Sequence, residues 1–179
     1  MLFRSMMWIQ RTRPERSPVT LFVAATIVGF VSGSALGVLW WRLAPRVTIV
    51  VRPEGTRPQG FQPEEYLAAD VAFAALAFAA GVVLAIALSR LRRHHLLSVL
   101  AACLAASALG TAAMWWIGTQ LGSVDIEGLV ATTEDQQIAE DALTVTMPGV
   151  FLMWAIASSI VVLVLAVIDR FTEVPSEDD

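Results

Sequence analysis

The chain has 179 residues, of which 56% are hydrophobic and only 16% charged, and its mean hydropathy is +0.67. That is far more apolar surface than a soluble domain of this size needs, so a bilayer is the expected solvent. The formal charge of -4 averages a basic side with an acidic side, which excludes a nucleic-acid footprint. Cys103 is the single cysteine and lies inside an apolar run, so no intramolecular disulfide can form and it reads as a small packing residue.

A membrane-spanning helix needs about 20 mostly apolar residues, and four such runs can be marked off. The sequence predicts an all-α membrane protein with spans at about 18–41, 64–89, 96–121 and 149–168. Outer loops 42–63 and 122–148 join them and form a small β-cap, and tails 1–17 and 169–179 flank the bundle. The N-terminal tail places Leu2, Phe3, Met6, Trp8 and Ile9 ahead of Arg11, Arg13 and Arg16, which suits a cytoplasmic segment lying at the interface. A secretory signal peptide is the rival reading of this start. The apolar segment that follows is too long for one, and no A-x-A-like cleavage site follows it well.

Within the first span, Ala25, Gly29, Gly33 and Gly37 recur every four residues and lay a groove of small side chains along one helix face. Inside lipid, where apolar tails compete with apolar side chains, such a face lets two backbones approach and hold by van der Waals contact. Packing within the chain is the expected use, with a dimerisation face as the alternative. Trp40 and Trp41 end the span as interfacial anchors. In the first outer loop, Val47 to Arg52 has the β-branched content of a short strand, and Pro53, Gly55, Pro58 and Gly60 then break the chain.

The second span opens with Pro63, Glu64 and Glu65 and closes with Arg90, Arg92 and Arg93, charges that complement the two ends of the helix dipole. Asp70 shares a helix face with Tyr66, Ala74, Ala77 and Gly81 and so should face protein rather than lipid. It lies on the order of 6 Å inside the apolar boundary, where a lone carboxylate needs a partner. Arg42 or Arg46 is the expected partner, with Trp115, Trp116 and Gln120 as other groups at that depth. The same residue carries the transport reading, in which it is a proton or cation site. The pair His94 and His95 reads as part of a solvated basic turn, because adjacent imidazoles rarely share a metal.

In the third span, Ala102, Ala106, Gly110 and Gly118 continue a four-residue series interrupted by Met114, so this helix should pack against the first or second. Trp115 and Trp116 fall near its outer end, on the membrane face marked by Trp40 and Trp41. The second outer loop is acidic, with no basic residue. Thr133 with Gln136 predicts a short surface helix over 134–142, and Leu143 to Met147 alternates like a strand that could pair with Val47 to Arg52. No EF-hand order is present among its acids. The fourth span, with Ser158 and Ser159 among few small contacts, is strongly aliphatic.

The segment PEEYLAAD, leading into an alanine-rich span with Ala80-Gly81 near its middle and then RLRR, resembles a family of actinobacterial four-span integral membrane proteins of unknown function. The resemblance covers about 18–170, carries no catalytic residue across, and agrees with the use of arginine for every basic residue. Neither GxSG nor an intramembrane histidine is present, and Asp70 is the one aspartate well inside a span, so no enzyme, cofactor or metal centre is expected. The expected role is an accessory or scaffold component of a plasma-membrane complex, with both termini cytoplasmic and a membrane-protein partner or a second copy bound. A small transporter or channel component using Asp70 is the alternative.

Overall fold

The computed structural model describes residues 18–52, 55–58, 63–91, 95–132, 135 and 137–172. Expectations placed on the tail 1–17, on Arg92, Arg93 and His94, on the Thr133 and Gln136 pair, and on the tail beyond 172 fall outside these residues. In chain order the elements are α1 (Pro18–Leu43), β1 (Thr48–Arg52), β2 (Gly55–Pro58), α2 (Pro63–Leu91), α3 (Leu96–Leu121), α4 (Ile126–Thr132), β3 (Gln137–Glu140) and α5 (Met153–Thr172). A 3-10 turn, Pro148–Leu152, leads into α5. Four of the helices are long and apolar enough to cross a membrane, which makes this a multi-pass membrane protein.

Each span is stable in lipid because its backbone is satisfied internally, and several of its hydroxyls are satisfied locally as well, while those of Ser89 and Thr111 are buried without a hydrogen-bond partner among the described residues. Thr26, Ser34, Thr119 and Ser159 each donate to the carbonyl four residues earlier, at 2.8–2.9 Å. Large apolar side chains such as Val31, Val83 and Leu163 stand exposed on the outer faces, as a lipid-solvated bundle requires.

The closest contact in the bundle joins α1 to α3. Gly29 meets Ala106, Gly33 meets Gly110 and Gly37 meets Met114, so the two helices advance together and run parallel. A Cβ on Gly33 would overlap the Gly110 carbonyl, which is backbone and cannot yield. α2 packs in the same manner on α5, where Gly81 lies against Trp154 and Ala157 and accepts a hydrogen bond from the Ser158 hydroxyl at 3.1 Å. The buried Trp154 indole also covers Gly110, so one large side chain from α5 fills gaps left by glycines of α2 and α3.

Trp40 departs from the interfacial role expected of it. It is fully buried, its ring covers Gly118 and meets Phe73 edge-on at 5.0 Å, and its indole N–H donates to the Ala69 carbonyl at 2.9 Å. The reason is helical phase: Trp40 follows Gly37 by three residues and stays at the centre of the packing face, while Trp41 lies at its edge, half-buried against the core. Trp115 and Trp116 are exposed, and Trp41 is half-buried.

Above one end of the bundle lies an antiparallel sheet in the order β2-β1-β3, with Val50 opposite both Arg57 and Ile138. Ile49 and Val51 are buried on one face of β1, and α4 packs on the sheet. α4 starts at Asp125, whose carboxylate accepts the Gly128 N–H at 3.0 Å in an N-cap contact.

Two expectations for the second loop are corrected. Residues 137–140 form β3 rather than part of a helix, because the β-branched strand β1 offers an open edge and Ile138 and Ala139 complete its ladder. Leu143 to Met147 is not a strand, because its N–H groups are used elsewhere. Leu143 donates to the Gly122 carbonyl at 3.0 Å, and Thr146 and Met147 donate to Asp70.

Candidate functional site at the junction of bundle and cap

Polar groups gather where the last turn of α1, the first two turns of α2 and the segment 140–147 meet. Pro63, Glu64 and Glu65 start α2 there, and the helix brings Tyr66, Ala69 and Asp70 to the face beneath the cap. Asp70 is fully buried. Its Oδ2 accepts the Thr146 hydroxyl at 2.6 Å and the Met147 N–H at 2.8 Å, and the Thr146 N–H reaches Oδ1 at 3.1 Å and Oδ2 at 3.2 Å.

These donors stand immediately before Pro148, which has no N–H, at the entrance to the turn that starts the fourth span. Asp70 therefore works as an N-terminal cap supplied by a neighbouring helix. It satisfies backbone donors with charge-assisted hydrogen bonds and places its carboxylate at the N-terminal end of the 3-10 turn that leads into α5.

The pairing of Asp70 with Arg42 or Arg46 is corrected by this geometry. Arg46 is instead held by Glu140, Nη1 to Oε2 at 2.8 Å, and its second nitrogen reaches the Trp41 carbonyl at 3.4 Å. The guanidinium carbons of Arg42 and Arg46 lie 5.6 and 5.7 Å from the centroid of the Trp41 ring. Both arginines belong to the rim of the junction, where charge remains hydrated, and the buried acid is left to backbone donors.

A second latch lies beside the first. Tyr66 donates its hydroxyl to Asp141 Oδ2 at 3.3 Å, Asp141 Oδ1 accepts the Ala142 N–H at 2.8 Å, and the Asp141 N–H donates to the Val47 carbonyl at 2.8 Å. Pro45, Arg46, Glu65, Tyr66, Asp141 and Thr144 border a shallow cleft here with room for roughly one water molecule. Glu65 Oε2 and Trp41 Nε1 are buried without a hydrogen-bond partner among the described residues.

The other residues singled out in the sequence divide cleanly. Ala25, Gly29, Gly33 and Gly37 lie on the buried side of α1, and the last three meet Ala106, Gly110 and Met114 of α3. Ala77 is fully buried in α2, and Gly81 lies on α5. None of them belongs to the polar junction.

Among the described residues no group of His, Cys, Asp and Glu could hold a metal ion, and Cys103 is buried and free. Sequence reasoning did not reach Thr146, Met147, Tyr66 with Asp141, or Trp154. The available signals were Pro148 after two residues with free N–H groups, and a tryptophan well inside the fourth apolar run. Comparisons with protein-family models, with curated proteins and with solved structures find no match for the chain.

Proposed function

We propose that this protein is an accessory or scaffold component of a cell-envelope complex in the plasma membrane, with both termini cytoplasmic and the cap presented on the outer face. The observation that carries the reading is the engagement of Asp70. A transporter or channel component would need this acid to exchange protons or cations. Its carboxylate is sealed from solvent and holds the Thr146 and Met147 donors instead.

The small-residue face of α1 is occupied by α3, which leaves the cap and the lipid-exposed helix faces as the surfaces for a membrane-protein partner or a second copy. The resemblance to actinobacterial four-span proteins belongs to the same proposal and supplies a lineage. The test is chemical crosslinking in native membranes followed by purification in mild detergent. A discrete crosslinked species above the monomer is expected, and a chain that always runs alone at native abundance refutes the role. For the transport alternative, equal ion flux in proteoliposomes carrying wild type and Asp70→Asn removes Asp70 from any conduction step.

A further inference from the structure

Arg42, Arg46, Arg52 and Arg57 all lie on the cap side of the bundle. Three of them have evident settings. Arg46 is paired with Glu140, Arg52 is engaged within the described structure, and Arg57 sits on β2 away from the spans. Arg42 differs. It lies in the last turn of α1, one residue before the end of the apolar span, which is the depth of lipid phosphates. Its side chain is exposed, and among the described residues its partner is the Trp41 ring rather than a carboxylate.

A guanidinium offers five donors in a planar fork that fits phosphate oxygens, and that of Arg42 lies within cation–π range of the Trp41 indole, which favours this placement before any ligand arrives. Arg46 shares the same indole but its charge is offset by Glu140, so among the described residues the uncompensated positive charge at this depth is that of Arg42, which favours an anionic headgroup over one that carries its own ammonium. We propose that Arg42, positioned by Trp41, binds the phosphate of an anionic phospholipid in the cap-side leaflet. The proposal rests on the multi-pass architecture and is independent of the scaffold reading, because a protein that runs alone can still hold a lipid.

Native mass spectrometry of the full chain in mild detergent tests it, with phosphatidylglycerol and phosphatidylcholine of identical acyl chains as probes. Wild type is expected to retain phosphatidylglycerol preferentially. Arg42→Gln should weaken that binding about fivefold, the factor that one basic residue near an anionic surface is worth. Phosphatidylcholine binding should be unchanged. Arg42→Lys, which keeps the charge and loses the fork, should fall between the two and covers the case in which the glutamine variant does not fold.

Arg57→Gln is the control for general electrostatics and should leave binding intact. The proposal is overturned if wild type binds the two lipids equally, if Arg57→Gln weakens binding as much as Arg42→Gln, or if Arg42→Gln folds and binds as wild type does. Displacement of the lipid by millimolar inorganic phosphate would assign the site to free phosphate and would also overturn it.

Discussion

Replacing Asp70 by asparagine keeps the shape of the side chain and removes its charge, and the geometry predicts that this is a severe change. Three donors converge on the carboxylate: the Thr146 hydroxyl, the Thr146 N–H and the Met147 N–H. The Thr146 N–H stands between the two oxygens, at 3.1 and 3.2 Å, so the new amide nitrogen faces a donor whichever oxygen it replaces. Hydrogen bonds to a charged acceptor are worth about 1.5–3 kcal/mol each and neutral ones about 0.5–1.5. Allowing for the non-additivity of groups that share one acceptor, Asp70→Asn should lower stability by about 3 kcal/mol. Thr146→Val removes one donor and should lower it by about 2 kcal/mol. Because both act on one contact, the double variant should be less destabilised than the two losses together imply, by about 1 kcal/mol or more. Equilibrium unfolding in mixed micelles measures these differences, and limited proteolysis of 122–147 reports whether the cap loosens first. A loss below about 0.5 kcal/mol for Asp70→Asn, or simple additivity with Thr146→Val, would refute the account of Asp70 as a latch.

Gly33→Ala should cost about 2 kcal/mol or more by overpacking, because the new Cβ meets the Gly110 backbone, whereas Gly149→Ala has open space around it and should be near neutral. Unfolding in micelles of the two variants checks the contrast. Trp40→Phe deletes the donor to the Ala69 carbonyl and leaves much of the aromatic packing on Phe73, so a loss of about 1 kcal/mol is expected in the same assay. Arg46→Gln breaks an ion pair whose side chains are 25% and 62% exposed, and its effect should stay below about 1 kcal/mol and vanish at high salt. Glu127→Cys, on the exposed side of α4, should react with an impermeant maleimide in intact cells. Reaction only after lysis would reverse the proposed orientation of the cap.

The four spans and the presence of a small β-cap were legible in the sequence because a bilayer imposes a length and an apolarity that few other constraints can mimic. Trp40 was misread although its signal was present. The four-residue series Ala25, Gly29, Gly33 and Gly37 drifts around the helix, and the centre of the face it defines falls at Trp40 rather than at its next member, Trp41, but tryptophan at a span end is usually interfacial. The partner of Asp70 was not legible, because backbone N–H groups carry no residue signature and arginine is the obvious counter-charge. The cap register was not legible either. Residues 137–140 have no strong local preference, and their conformation is fixed by the open edge of β1, more than eighty residues earlier in the chain.

The same exchange between distant segments explains why the acid sits where it does. Within the membrane the closest helix contact joins α1 of the first hairpin to α3 of the second, and α2 likewise packs on α5. Above the membrane the pattern repeats: the first loop supplies β1 and β2, the second supplies β3, and the Asp141 N–H bonds to the Val47 carbonyl across the two. Neither hairpin is complete alone. The first would present a face of bare glycines and an acid without donors near the hydrocarbon boundary. An uncompensated carboxylate costs up to about 3 kcal/mol at a span centre and less toward the edge. Asp70 thus makes the first hairpin tolerable in the membrane but unfinished until the segment before Pro148 arrives. The same segment leads into the turn before α5, and β3 just ahead of it pairs with β1 of the first loop. Asp70 thereby ties α2 of the first hairpin to the segment that joins the cap to the fourth span.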